Sequence, residues 1–355
     1  MKALVTVLLL GWFVAPVQAG QMLPAMPVPD KSCVPVDGLS FVCGPQKPED
    51  AIPIPDTRWL LISGMTPGGG LGVIDMNAKK AYFLYTAKTA KALDRRYSGC
   101  ATAPDPASFA THGLSLRATA PGRYKLYAVS HGVMESVQLF DLDARGDVPA
   151  LTWKGCVAMP DNHPGNSVAS FADGTILVSV IGGLKLDDGK QGGAVFAWSP
   201  GEKMFHWLKG TELPSPNGLE IAHDEREFYV VSSNDQSFNV FSRDGRKLRA
   251  APVPGFNPDN IRWNGHRLIT AGMIHDEPAC GGLIVWGTPN AKCHRGYMVA
   301  EVDPVSLQWK IIAYAEPNPA FEAVATGAVV GDTLWLTTFR GDRVAYRPLP
   351  GPPAQ

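Results

Sequence analysis

The side chains able to do chemistry sit at matching points of a pattern that recurs along the chain: a polar residue, an apolar run, a turn and a second apolar run. Those polar positions are Glu49, His112, Asn166, Asn217, Asp259 with Asn260, and Thr326. Two carboxylates and three amides are hard oxygen donors. Brought together, they suit a calcium ion, which takes six to eight oxygens at about 2.3–2.6 Å, and the two carboxylate charges balance it. Zinc would ask for nitrogen and sulfur in a tetrahedron, and clustered carboxylates with no cation would repel one another. His112 adds an imidazole that titrates near neutrality and can take a proton from water. Taken singly, each residue has a plain structural reading: Asn217 before a glycine and Asn260 after Pro258-Asp259 both suit turns. Turn chemistry does not explain one register repeated in separate copies, because a turn needs such a residue only at its own corner.

The elements that must position these residues are short strands. The clearest copy runs Pro216 to Ala222, turns through His223 to Arg226, continues as Glu227 to Ser232 and Phe238 to Phe241, and ends at Asp244-Gly245. The same grammar joins His112–Leu116 to Tyr124–Val129, Asn166–Phe171 to Ile176–Val180 through Asp173-Gly174, and Asp259–Trp263 to Arg267–Thr270 through Asn264-Gly265. Aspartate or asparagine before glycine between apolar alternations is a hairpin signal. Weaker copies begin near Glu49 and near Thr326, the latter followed by Leu334–Thr338. Six starts at intervals of 43 to 66 residues predict an all-β chain folded as a six-bladed β-propeller. In that architecture the first strand of every blade lines the central channel, so the polar starts converge on one axis. A two-sheet sandwich offers no reason for the recurrence. Trp153, Trp198, Trp207, Trp263, Trp286, Trp309 and Trp335 are expected in the core between blades.

Composition agrees. The 355 residues are 45% hydrophobic and 18% charged, enough to bury a sizeable core, and 37 glycines with 31 prolines exclude a helical bundle. A net charge of -1 supplies no field to attract nucleic acid or an anionic membrane. Residues 1–19 read as a signal peptide: Lys2, an apolar run from Ala3 to Val14, and Val17-Gln18-Ala19 before the expected cleavage after Ala19. The run is too short to span a bilayer. Residues 20–355 are then expected to form one propeller domain, periplasmic or secreted. Six cysteines in such a compartment favour disulfides over metal thiolates. Proximity suggests Cys33–Cys43 and Cys280–Cys293, leaving Cys100–Cys156, although spacing alone leaves the other pairings open. No GxSxG elbow, HExxH helix or Walker loop occurs, and Asp187-Asp188-Gly189 reads as a solvated turn.

In order and spacing, Pro48-Glu49-Asp50, His112-Gly113-Leu114-Ser115, Ser130-His131-Gly132, Pro216-Asn217-Gly218-Leu219 and Pro258-Asp259-Asn260-Ile261 resemble the paraoxonase/arylesterase family, which belongs with the gluconolactonase, regucalcin and strictosidine-synthase-like propellers. The resemblance implies a calcium ion at the bottom of an active-site cleft and hydrolysis of lactones and, less selectively, aryl esters. It places the calcium ligands on Glu49, Asn166, Asn217, Asp259 and Asn260, and water activation on His112 and His131. Read from its own surroundings, His131 could equally be a satisfied core histidine after the apolar run Leu126–Val129. The chain departs from the family in two respects. Ser167 stands where the family has an aspartate serving a second, structural calcium, so only Asp50 remains for that ion and a single calcium is expected. No cysteine follows Cys293, so the family's link from the N-terminus to the last blade is missing. The expectation is an exported calcium-dependent hydrolase acting on a small lactone or ester. The alternative is a non-catalytic propeller held together by calcium that binds a ligand or a protein.

Overall fold

Apolar alternation broken every few residues by Gly, Pro and Asx cannot sustain long helices, and helical structure among the described residues is confined to four 3-10 turns: Arg95–Tyr97, Pro160–Asn162, Pro278–Cys280 and Pro289–Lys292. The computed structural model describes residues 22–29, 33–186 and 188–349. The proposed signal peptide and Asp187 lie outside them. Strands gather into six sheets of four or five, joined in chain order as the blades of a propeller.

Blade 1 comprises Ala51–Pro53, Trp59–Ser63, Leu71–Asp75 and Lys80–Phe83. Blade 2 comprises Ala110–Ala120, Arg123–His131, Ser136–Asp143 and Ala150–Ala158, with Ala90–Lys91 added in parallel at its outer edge. Blade 3 comprises Val168–Ser170, Ile176–Lys185, Gln191–Trp198 and His206–Trp207, and blade 4 Pro216–Ile221, Glu227–Ser232, Ser237–Ser242 and Lys247–Pro252. Blade 5 comprises Phe256–Asn264, Arg267–Ile274, Tyr297–Val302 and Trp309–Ala315. Blade 6 has Val324–Val330, Thr333–Thr338 and Arg343–Pro348 from the end of the chain, and takes its outer strand, Ser40–Cys43, from the beginning. Ser40 faces Tyr346 and Cys43 faces Arg343 in that antiparallel pair. Backbone pairing thus closes the ring without a disulfide between its two ends.

Period-two alternation gives every blade two apolar faces, and each face packs on a neighbouring blade. Among the described residues six buried clusters lie at these junctions, one per junction, and a smaller seventh packs Met273 and Ala323 against Ile284 and Ala291. Trp59, Leu71, Leu126 and Phe140 join blades 1 and 2, and Val137, Val168, Val178 and Phe196 join blades 2 and 3. Leu177, Leu219 and Phe228 join blades 3 and 4, while Val231, Phe256, Leu268 and Ala300 join 4 and 5. Ile269, Val299 and Leu336 join 5 and 6, and Leu60, Ile62, Trp335 and Val344 complete the ring. Each fully buried large side chain stabilises the fold by about 1.5–3 kcal/mol.

All three disulfides suggested by proximity form: Cys33–Cys43, Cys100–Cys156 and Cys280–Cys293. Six of the seven tryptophans lie in or against the core as expected: Trp153, Trp198 and Trp335 are buried, and Trp207, Trp263 and Trp309 pack on its edge. Trp286 corrects the expectation, being 44% exposed. It belongs to no blade strand. It sits in an insertion between the second and third strands of blade 5, which carries the ribbon Asp276–Glu277 with Gly282–Leu283 and the staple Cys280–Cys293. Buried Arg295 ties that insertion down, donating from Nη1 to the carbonyls of His275 and Gly282 at 3.0 Å and from Nη2 to Asn290 Oδ1 at 2.9 Å. No helix among the described residues is long and apolar enough to cross a membrane.

Candidate functional site

The inner strands do not pair regularly along their whole length. In four blades the ladder with the second strand breaks, between Thr111 and Leu114, Pro216 and Leu219, Pro258 and Ile261, and Val324 and Gly327. The residues skipped are His112-Gly113, Asn217-Gly218, Asp259-Asn260 and Ala325-Thr326. Such bulges re-aim side chains and recur beside active sites. In blades 1 and 3 the polar residue lies just before the inner strand, at Glu49 and Asn166. Two of the skipped glycines have a steric reason. A Cβ on Gly113 would lie 2.4 Å from the Asn166 carbonyl oxygen, and one on Gly218 would lie 2.6 Å from that of Asp259, so neighbouring inner strands could not approach as they do. Gly113 N–H donates across that gap to the Asn166 carbonyl at 2.9 Å.

A cavity of about 330 Å³ opens where the strands converge, with Glu49, His112, Asn166, Asn217 and Asp259 among its lining residues. Asn260 sits beneath it and donates from Nδ2 to Glu49 Oε1 at 2.5 Å. The five oxygen-bearing residues expected to act together are therefore gathered from blades 1, 3, 4 and 5. Their amide nitrogens are occupied: Asn217 Nδ2 donates to Ser233 Oγ at 3.1 Å, and Asn166 Nδ2 lies 3.3 Å from His112 Nε2. Their oxygens are not. Glu49 Oε2, Asn166 Oδ1, Asn217 Oδ1 and Asn260 Oδ1 are all buried without a hydrogen-bond donor. Buried polar atoms are seldom left unpaired, because desolvation without a partner costs about 1–3 kcal/mol each. Four unpaired oxygens from residues whose own nitrogens are all partnered are the complement of a hard cation, so the donor set fits calcium. Among the described residues no three His, Cys, Asp or Glu side chains group so as to hold a metal, consistent with a set built largely from amides.

Electrostatics point the same way. Burial, then the neighbouring charge of Asp50, pushes the Glu49 carboxyl up to about 8. Burial and then the Glu49 charge hold Asp259 well above the usual carboxylate range. Two acids that cannot both ionise comfortably call for a positive charge. His112 is lowered by burial, against the pull of Asp259 and Asp50, which keeps its ring neutral. Its Nε2 approaches Glu49 Oε1 at 3.6 Å.

His131, the last residue of its strand, is not a core histidine. Its Nε2 lies 2.8 Å from His112 Nδ1, and its Nδ1 lies 2.7 Å from Glu135 Oε2. It does not line the cavity and reaches it only through His112. Glu135 carried no signal in the sequence, since it follows His131 across a loop and belongs to no repeated position.

Asp50, the one family ligand left for a second ion, has both of its oxygens partnered. Asp50 Oδ2 accepts from Leu114 N–H at 2.7 Å and is paired with Arg262 Nη2, while Oδ1 accepts from Ala51 N–H at 2.8 Å and Thr326 Oγ1 at 3.2 Å. Arg262 is buried and also donates to the carbonyls of Leu114 at 3.0 Å, Ile261 at 2.9 Å and Leu219 at 3.4 Å. Its guanidinium occupies the axis as a resident cation touching blades 1, 2, 4 and 5.

Beside the polar Ser215, Ser233, Asn234 and Asn257, the cavity is lined by apolar side chains: Met65, Ile181, Met273, Trp286, Val324 and Phe339. None of these was singled out as a site residue beforehand, because a single apolar residue at a loop or strand end looks like any other.

The chain matches no protein-family model and no curated protein. Among solved structures it is similar to a Thermus thermophilus protein provisionally described as an oxidoreductase (glucose dehydrogenase). That likeness has 16% identity and a TM-score of 0.47, and covers 88% of this chain and 99% of that one. A Bacteroides caccae protein of unknown function aligns at 12% identity and TM-score 0.44, over 79% of this chain and 82% of that one. Likenesses this distant carry no argument about chemistry, which rests on the residues themselves.

Proposed function

We propose that this protein is an exported, calcium-dependent hydrolase of lactones or aryl esters. The observation that carries the reading is the set of four buried, unpartnered oxygens from Glu49, Asn166, Asn217 and Asn260, next to the Asp259 carboxyl and the neutral ring of His112. The residues that bear the paraoxonase/arylesterase resemblance are also the ones gathered there, and three disulfides suit an oxidising compartment.

Those five residues would hold the ion, which when bound supplies Lewis-acid polarisation of a carbonyl oxygen. The remaining chemistry belongs to the chain. The apolar side chains among the lining seat the hydrocarbon part of a lactone or aryl ester. His112 Nε2 takes the proton of the attacking water as its oxygen bonds to the carbonyl carbon. The bond to the leaving oxygen then breaks, and the proton held on His112 passes to that alkoxide or phenoxide. His131, 2.8 Å behind, keeps the His112 ring oriented.

Hydrolysis of a panel of aliphatic lactones, sugar lactones and aryl esters, measured with calcium and again after chelation, tests the reading. Turnover that chelator abolishes and added calcium restores is expected. No turnover of any member by calcium-loaded protein refutes it.

A further inference from the structure

The chain of contacts behind His112 ends on a carboxylate with no part in holding a cation. His112 Nδ1 meets His131 Nε2 at 2.8 Å, and His131 Nδ1 meets Glu135 Oε2 at 2.7 Å. A carboxylate only accepts, so the proton between Glu135 and His131 resides on His131 Nδ1. With that single proton on Nδ1, His131 meets His112 through its bare Nε2, which accepts, and the proton between the histidines resides on His112 Nδ1. That leaves His112 Nε2 with a free lone pair on the cavity side. There it lies 3.3 Å from Asn166 Nδ2, which is a donor. Every contact from Glu135 to Asn166 thus joins a donor to an acceptor in one order, and reversing the order at any point sets two lone pairs or two protons against each other.

The backbone around Glu135 is built to hold it there. Gly132 follows His131 at φ +147°, turning the chain so that residue 135 returns to the face of residue 131. Asn162 Oδ1 accepts from Glu135 N–H at 2.8 Å, and the Glu135 carbonyl accepts from Met159 N–H at 2.9 Å. Asn162 itself stands at φ 55°, a left-handed conformation that asparagine adopts more readily than most residues. The Glu135 side chain is only 12% exposed, and among the described residues its side-chain partner is the His131 imidazole.

We infer that Glu135 is a positioning residue that fixes the proton order of the His131–His112 pair, so that the ring facing the cavity presents an unprotonated Nε2. The proton order stands on the contacts alone, and its catalytic consequence rests on the hydrolase reading above. Without a carboxylate to bind its Nδ1 proton, His131 relaxes toward the Nε2–H form that free imidazole favours. It then confronts His112 Nδ1 with a proton, and His112 must carry its own on Nε2, the atom the reaction needs bare.

Nitrogen-15 NMR of histidine-labelled wild-type, Glu135→Ala and Glu135→Gln protein reads the order directly. In the wild type both rings are expected to carry the proton on Nδ1. In Glu135→Ala both shift toward Nε2–H, and Glu135→Gln, whose Oε1 still accepts, keeps the wild-type order. On any panel member that is turned over, Glu135→Ala is expected to lower kcat about 10- to 100-fold, the scale typical of a partner acting through another residue, with KM little changed and most of kcat regained in Glu135→Gln. Wild-type tautomers in Glu135→Ala, or an Nε2–H His131 in the wild type, overturn the inference even if hydrolysis proceeds. Absence of turnover across the panel sinks the hydrolase reading and leaves the spectra to decide the role of Glu135.

Discussion

Replacing Arg262 by methionine removes the guanidinium that Asp50 touches and keeps much of the side chain's apolar volume. The Asp50 carboxylate stays buried, still accepting from Leu114 and Ala51 N–H, but with no cation against it. Breaking a buried ion pair from one side costs about 3–5 kcal/mol, because the surviving charge has neither water nor partner. An unfolding entropy of about 2.1 cal/mol/K per residue over some 320 described residues turns that cost into a fall in Tm of about 4–8 °C. Asp50→Asn in the same background removes the stranded charge and is expected to recover most of the loss, since buried pairs replaced from both sides are often close to neutral. Scanning calorimetry with chelator present isolates this pair from any ion at the cavity. A loss below about 1 kcal/mol in Arg262→Met, or a double variant no more stable than the single one, would refute the assignment of Arg262 as the axial cation.

Calcium titrated into wild-type protein by calorimetry is expected to bind at one site per chain, and a second site of comparable affinity would contradict the guanidinium's occupancy of the axis. Asn217→Ala and Glu49→Gln should each weaken that binding by at least 10-fold, read as a smaller rise in Tm at a fixed calcium concentration. His112→Gln should keep the ion and abolish turnover, whereas unchanged turnover would show that the propeller uses the ion only as a brace. Without metal, the raised Glu49 carboxyl makes the folded state bind more protons than the unfolded chain. Its contribution is fully present below the ordinary value of 4.5 and is lost as pH rises toward about 8, so apo-protein Tm should fall across that window and calcium should flatten the fall. Trp286→Ala should raise KM for aryl esters and aliphatic lactones more than for sugar lactones.

The architecture was readable because each blade carries a polar residue at its inner edge, and blades 3, 4 and 5 add Asx-Gly turns between apolar alternations. The oxygen donors were readable for the same reason: Asn166, Asn217 and Asp259-Asn260 share one register, and a propeller geometry turns that register into proximity. Glu135, Arg262 and Trp286 were not. Glu135 acts across a loop whose course depends on Gly132 and Asn162. Arg262 sits on an inner strand where alternation predicts nothing about a charge, and only the ring brings Asp50 within its reach. Trp286 lies beside valine and isoleucine, and an apolar stretch in an insertion reads like a strand until the fold shows that it pairs with nothing in its blade.

Blade 6 is assembled from both extremes of the polypeptide, with Ser40–Cys43 laid against Arg343–Pro348. The earliest blade-forming segment to be made must therefore wait for the latest before it gains a partner, and until then Leu39, Phe41 and Val42 are left without the cover they find in the finished ring. The cavity floor draws on blades 1, 3, 4 and 5, and the Glu49 carbonyl is held by Thr326 and Thr337 of the last blade. Clipping either edge of that final seam should loosen the floor from a distance. Cleavage after residue 342 would then disable the cavity without removing a single residue that lines it.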